Sequence, residues 1–290
     1  MASNRPLLYQ PSTFSSRDAA QGAVFAHRDT APFHCELRRR PCEFSRYGRS
    51  VCDSPRRRKD RVQRPDGAAL LIGEIAVVGD IHGEIEALER AVPWLRSWDG
   101  EVVFVGDYVN RGAHSREVLD VLVQLKDELG SHATFLLGNH DLALRAFLSG
   151  ASPSQLIAHS GLATLHSYLG GNALDDPYAQ LRIIFPTKHK DFLEGLVTHW
   201  ETDELIISHA GINPYNPYSR TEAELVSGSH PALFDPGIEL PKFVVAGHYA
   251  QRTKLPFTSS RFVCVDSGCG TIPGAPLSIV LIPDQHIYNF

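Results

Sequence analysis

From about residue 68 onward the sequence predicts an α/β layered domain, on three observations. Short β-branched apolar runs alternate with longer amphipathic stretches, the pattern of strands and covering helices. The alternation begins abruptly after the breaker Pro65-Asp66-Gly67. Several apolar runs stop at Gly-Asp or Gly-Asn, where a buried strand gives way to a loop. In order, strands are predicted at residues 75–78, 102–105, 134–137, 205–208, 243–246, 262–265 and 278–282. Helices are predicted at residues 84–98, 115–129, 142–148, 155–169 and 188–200, and Pro93 predicts a kink or early stop in the first. Strand-loop-helix units dominate the first half and strands dominate after His209, a split compatible with two sheets packed face to face under helices.

A chain of 290 residues with 43% hydrophobic content can bury one substantial core, or one core with an appendage. Charge favours the appendage. Residues 1–67 hold 14 Lys+Arg against 7 Asp+Glu, whereas residues 68–290 hold 14 against 26. The first segment contains Arg38-Arg39-Arg40 and Arg56-Arg57-Arg58-Lys59 among Pro, Ser and Asp breakers, and it has no sustained apolar period. It cannot bury enough apolar surface to offset its chain entropy, so a disordered N-terminal extension is expected. A solvated tail is favoured over nucleic-acid or membrane-surface binding by these basic runs. No stretch approaches 18 uncharged apolar residues, and no apolar signal core lies near Met1, so a soluble, cytoplasmic protein without a membrane span is expected. The five Cys form no paired CxxC spacing and read as free thiols, with Cys269 in a packing role.

Three motifs carry the chemistry: Gly79-Asp80-Ile81-His82-Gly83, Gly106-Asp107-Tyr108-Val109-Asn110-Arg111-Gly112 and Gly138-Asn139-His140-Asp141. Each puts Asp, His or Asn where an apolar run ends. Side chains at the carboxyl ends of neighbouring strands in an open α/β sheet converge on one crevice, so these oxygens and imidazole nitrogens can be pooled around metal ions. Taken singly, an Asp before Gly is usually a turn residue and an isolated His is usually a hydrogen-bonded core residue. One four-residue match arises by chance with a probability on the order of 10⁻⁵ per position, so an ordered set is informative where a lone GNHD is not.

With His209 in His209-Ala210-Gly211 and His248 in Gly247-His248, this ordered set resembles the calcineurin-like metallophosphoesterases, closest to their PPP phosphatase branch and the related symmetrical diadenosine tetraphosphatases. The likeness spans about Ile75 to Ile282 and implies a four-layer α/β/β/α sandwich. It implies that Asp80, His82 and Asp107 hold one divalent metal ion while Asp107, Asn139, His209 and His248 hold another, with Asp107 bridging. Mixed carboxylate, amide and imidazole donors suit Mn²⁺, Fe or Zn²⁺. Solvent shared by two such ions is acidified and can attack phosphorus in line with the leaving oxygen.

The resemblance also makes Arg111 a phosphate-binding arginine, able to grip two phosphoryl oxygens, and His140 the general acid for the leaving group. The family's second phosphate-binding arginine is replaced near residues 225–234 by Ser227, Ser229 and His230, which leaves Arg220 as a weak substitute. The carboxylate that usually partners the general acid is Asn110 here; its amide oxygen is expected to accept the imidazole N–H without adding charge. Asp141 is expected to support the site or cap a helix rather than bind metal. The leading substrate class is a phosphomonoester on protein, at Ser, Thr or Tyr. A dinucleoside polyphosphate is its first competitor, favoured slightly by Asn110. The third reading is a non-catalytic phosphate-recognition module, and retention of every ligand position counts against it.

Overall fold

The computed structural model describes residues 73–170 and 175–290, so the expected N-terminal extension and its boundary at residue 67 lie outside the described residues. The chain runs β1 (Ile75–Val78), α1 (Ile85–Ser97), β2 (Glu101–Phe104), α2 (Ser115–Leu129), β3 (Ala133–Phe135) and α3 (Asn139–Leu148). A helical segment follows, with α4 (Ser154–Ala158), α5 (Leu162–Leu169), α6 (Pro177–Ile184) and α7 (Thr187–Glu194). The remainder is β4 (His199–Glu201), β5 (Leu205–Ser208), α8 (Glu222–Ser227), β6 (Phe243–Ala246), β7 (Phe257–Thr258), β8 (Phe262–Cys264), β9 (Ser278–Ile282) and β10 (His286–Asn289).

Two five-stranded sheets result, in the orders β10-β9-β1-β2-β3 and β4-β5-β6-β8-β7. Within the first, β1, β2 and β3 are parallel; within the second, β5, β6 and β8 are parallel. The side-chain period of two explains the layers. Ile75 and Val77 join Val103, Leu205, Ile207, Val245 and Val263 between the sheets, whereas Ala76 and Val78 face α1 and α2 with Phe104, Leu88 and Leu122. On the far side Ile206, Val244 and Phe262 are covered by Leu225 of α8 together with Leu233 and Leu240. Both faces of both sheets are therefore apolar and covered, which gives the expected four-layer α/β/β/α sandwich with a thin fourth layer. Burying each such Leu, Ile or Val side chain contributes roughly 1.5–3 kcal/mol.

Local departures from the sequence reading have identifiable causes. Helix α1 runs through Pro93 to Ser97 instead of stopping there. The helix expected over residues 155–169 breaks into α4 and α5, because Ser160 takes φ 58° and the amide of Gly161 turns back 2.8 Å from the Leu156 carbonyl. A Cβ on Gly161 would lie 2.4 Å from Leu156, so only glycine permits this turn. The helix expected over residues 188–200 ends at Glu194, and Trp200 falls in β4, since Val197 pairs instead with Leu136 beyond β3. No helix among the described residues is long and apolar enough to cross a membrane.

Candidate active site

Every proposed ligand follows the carboxyl end of a parallel strand. Asp80 and His82 follow β1, Asp107 to Arg111 follow β2, and Asn139 and His140 open α3 after β3. His209 follows β5 and His248 follows β6, so both sheets contribute to one crevice. Eight non-glycine residues among those described have left-handed φ, and five of them are His82, Asp107, Asn110, Arg111 and His248. Backbone in that region costs of order 1–3 kcal/mol per residue and persists where surrounding structure enforces it, commonly at functional sites.

The structure brings all six proposed ligands together. Asp107 Oδ2 lies 3.3 Å from His209 Nε2 and 3.5 Å from His82 Nε2, while Asp80 Oδ2 lies 3.8 Å from His82 Nε2. Asn139 Oδ1 is 3.0 Å from both His209 Nε2 and His248 Nδ1. The backbone N–H of His248 donates to the Asp80 carboxylate at 3.1 Å. Each of two rings is anchored from behind: Nδ1 of His82 donates to the Val109 carbonyl at 3.1 Å, and Nδ1 of His209 to that of Val105 at 3.0 Å. Their Nε2 atoms are thereby turned inward toward carboxylate and amide oxygens, where a cation can be held between them.

Close backbone approach makes this crowding possible. A Cβ on Gly138 would lie 2.1 Å from Asp107 Oδ1, and one on Gly247 would lie 2.1 Å from Asp80 Oδ1. Gly138→Ala is therefore expected to push Asp107 off its position and cost about 10²-fold in turnover, as displacements near 1 Å do. Unchanged kinetics in that variant, measured on protein of wild-type secondary structure, would contradict the placement of Asp107.

Asp141 supports the site without entering it. Its carboxylate accepts N–H groups from Asp107 at 2.7 Å, Tyr108 at 3.0 Å and Gly138 at 3.1 Å, fixing the turn that carries Asp107. Burial raises the Asp80 carboxyl well above its usual range, with Asp266 and Asp107 adding repulsion. Burial and Asp107 likewise push Asp141 up to about 7, and burial lifts Asp266 to about 6. Asp107 goes the other way. Although burial opposes its charge, His209 beside it holds the carboxyl well below the usual range. Burial also opposes a charge on His209, yet Asp107 outweighs it and holds that imidazole at about 9. Four buried carboxylates thus converge, and together they favour positive charge among them.

Arg111 spans the mouth, with Nη1 2.9 Å from His82 Nε2 and Nη2 3.2 Å from His140 Nε2; Nη1 also donates to Thr271 Oγ1. The Asn110 amide oxygen accepts the Thr164 hydroxyl at 2.6 Å, and its Nδ2 faces His140 Nδ1 at 3.2 Å. This reverses the expected contact, in which the amide oxygen faced the imidazole. The reason is tertiary: Thr164 on α5 claims the oxygen, leaving only the N–H₂ for His140. With Nδ1 accepting from Asn110, the one proton of a neutral ring would lie on Nε2, opposite the Arg111 donor. Two donors, Arg111 Nη2 and His140 Nε2, then face each other, which suits an anionic oxygen between them.

Arg220 does not join this cluster. Its guanidinium is engaged by Glu201 at 2.7 and 2.9 Å and by the carbonyls of Pro217 and Ser219, so the chain's substitute for a second phosphate arginine is taken up by an ion pair at β4. His230 is also occupied elsewhere, with Nε2 3.1 Å from the Glu224 carbonyl. Cys264 and Cys269 are buried free thiols whose pKa burial raises, in keeping with packing. Thr164, Thr271 and His159 were not foreseen, because they lie in segments without a motif.

A profile of the calcineurin-like phosphoesterases matches residues 73–252. The chain belongs to the calcineurin-like phosphoesterase family. The clustered carboxylates and imidazoles are a donor set able to hold divalent metal ions. A protein phosphatase 2A catalytic subunit of Dictyostelium discoideum is 41% identical over 68 residues, covering 23% of this chain and 22% of that protein. A symmetrical bis(5'-nucleosyl)-tetraphosphatase of Coxiella burnetii is 31% identical over 140 residues, covering 48% of this chain and 42% of its own length. The chain thus aligns with less than half the length of these two curated relatives. A crystal structure assigned as a diadenosine tetraphosphatase superposes with TM-score 0.53 at 26% identity, covering 76% of this chain and 94% of the other. A serine/threonine phosphatase from Saccharomyces cerevisiae superposes with TM-score 0.51 at 15% identity over 75% of this chain and 78% of its own, which shows the shared fold.

Among the described residues, Asp80, Asp107 and His209 present ligand atoms within 4.8 Å of one another, as do His82, Asp107 and His140; Asp107 is common to both groups, but they divide the ligands differently from the sets the motifs imply, and one of them takes in His140. A shared carboxylate between two such groups is what a bridging ligand requires.

Proposed function

We propose that this chain hydrolyses a phosphate anhydride, of the kind that joins a dinucleoside polyphosphate, at a centre of two divalent ions held by Asp80, His82, Asp107, Asn139, His209 and His248. The mixed oxygen and imidazole donors favour Mn²⁺, with Fe or Zn²⁺ as alternatives. Bound ions would supply Lewis acidity toward the phosphoryl oxygens and lower the pKa of water. Arg111 would hold a phosphoryl oxygen jointly with His140 Nε2–H, orienting phosphorus toward the buried carboxylates' end of the crevice.

One observation carries the substrate class: the Thr164 hydroxyl orients Asn110 so that its N–H₂, not its oxygen, meets His140. An imidazole whose Nδ1 accepts a hydrogen bond is kept neutral, and burial with the nearby His82 and Arg111 charges also depresses its pKa to about 3. Such a ring can hydrogen-bond a leaving oxygen, but surrendering its only N–H proton would leave an imidazolate. The alkoxide leaving group of a phosphoserine or phosphothreonine needs that proton. A phosphate leaving group is already stable as an anion and does not. The geometry thus favours the anhydride over the phosphoprotein ester, reversing the order that the motifs alone suggested. The similarity to tetraphosphatases supports the same reading.

The test is a comparison on the full-length protein with Mn²⁺, using diadenosine tetraphosphate and a phosphothreonine peptide. General acid catalysis is typically worth 10²–10⁴ in rate, so kcat/KM for the dinucleotide is expected to exceed that for the peptide by at least about tenfold. A peptide hydrolysed as well as or better than the dinucleotide would reverse the assignment.

A further inference from the structure

We propose that His159 is a positioning residue for the metal centre, holding the amide of Asn139 with its oxygen turned toward His209 and His248. The inference rests on the two-ion centre described above. His159 sits where α4 breaks into α5, at the turn that Ser160 and Gly161 form. That turn sets its ring 4.9 Å from the ring of His140. Its Nδ1 is 3.3 Å from Asn139 Nδ2 and accepts that N–H. The same amide presents Oδ1 at 3.0 Å to both His209 Nε2 and His248 Nδ1.

An asparagine amide needs such a partner. Its last torsion is broad and roughly two-fold, and oxygen and nitrogen are nearly equal in size, so sterics alone select weakly between the two orientations. Only one orientation gives a cation an oxygen; the other points N–H donors at it. The acceptor on His159 stabilises the oxygen-inward form and leaves the outward Nδ2 satisfied. No residue of the GNHD motif supplies this acceptor. It comes from the helical segment 20 residues further along.

The experiment measures Mn²⁺ binding by equilibrium dialysis on metal-stripped, full-length protein, with no turnover involved. His159→Phe keeps a ring of similar size but removes the acceptor, and about tenfold weaker binding is expected, the usual scale for losing an outer partner of a ligand. His159→Gln, whose amide oxygen can accept from Asn139, should bind close to the wild type. The deciding measurement repeats His159→Phe in an Asn139→Asp background. A carboxylate offers oxygen in either orientation, so there the second substitution should change Mn²⁺ affinity little. Equal losses in both backgrounds would show that His159 acts through packing alone, and wild-type affinity in His159→Phe would show that it does not act at all. If His159→Phe fails to fold, His159→Leu takes its place in both backgrounds, and loss of folding in both substitutions would overturn the proposal in favour of a structural role. Failure of the wild type to bind Mn²⁺ would instead strike at the two-ion centre itself.

Discussion

Asp107→Asn is expected to abolish binding of two Mn²⁺ ions and to lower turnover by at least about 10³-fold. Among the described residues, Asp107 is the carboxylate common to both candidate ligand groups, and its Oδ2 faces His82 and His209 at 3.5 and 3.3 Å. The substitution removes the negative charge that two cations would share while keeping nearly the same shape. The Asp107 backbone N–H still donates to Asp141, so the turn and the fold should survive. Oδ1, which accepts the His140 backbone N–H at 2.9 Å, can be retained as the amide oxygen. Elemental analysis and steady-state kinetics on the same preparation read both effects. Two ions retained with wild-type turnover would refute the assignment of Asp107 as the bridge.

Asn110→Asp is expected to change substrate preference more than overall rate. In the wild type, Thr164 donates to one atom of the Asn110 side chain and Nδ2 donates to His140. With a carboxylate, Thr164 can keep its bond while the second oxygen now accepts from His140 Nδ1. The added negative charge stabilises imidazolium, which raises the His140 pKa relative to the wild type. A doubly protonated His140 can give up Nε2–H and remain neutral, so it becomes a true acid. Turnover of an alkyl phosphate should therefore rise by roughly 10–100-fold relative to turnover of diadenosine tetraphosphate. Adding His140→Asn to this variant should erase the gain. Equal changes on both substrates would mean that His140 does not protonate the leaving group.

The strands and the site motifs were legible because their signals are local. Residues 75–78, 205–208, 243–246 and 278–282 are strands as expected, each a short apolar run closed by a polar or breaker residue. Parallel strands put their carboxyl ends together, so Asp80, Asp107, Asn139, His209 and His248 converge once the fold class is known. The helical segment after α3 was less legible. Residues 155–169 have the composition of one helix, yet the αL turn at Ser160 divides them, and a single positive φ leaves no periodic signal. Likewise, the strand character of His199–Glu201 comes from pairing with β5, not from local propensity.

By itself the sequence determined the alternation of strands and helices, the placement of acids, amides and imidazoles at strand ends, and the supply of Arg111 beside them. All of these follow from hydrophobic period and residue chemistry, which act over a few positions. Tertiary structure alone decided which atom each polar group presents. Asn110 was expected to offer oxygen to His140 and offers N–H instead, because Thr164, 54 residues away, claims that oxygen. Arg220 stands in the sequence interval that would supply a second phosphate arginine, but Glu201 across β4 holds its guanidinium in a two-point ion pair. Asn139 turns its oxygen inward against the acceptor on His159. A hydrogen bond's direction depends on what stands opposite the group in space, and sequence spacing carries no record of that partner.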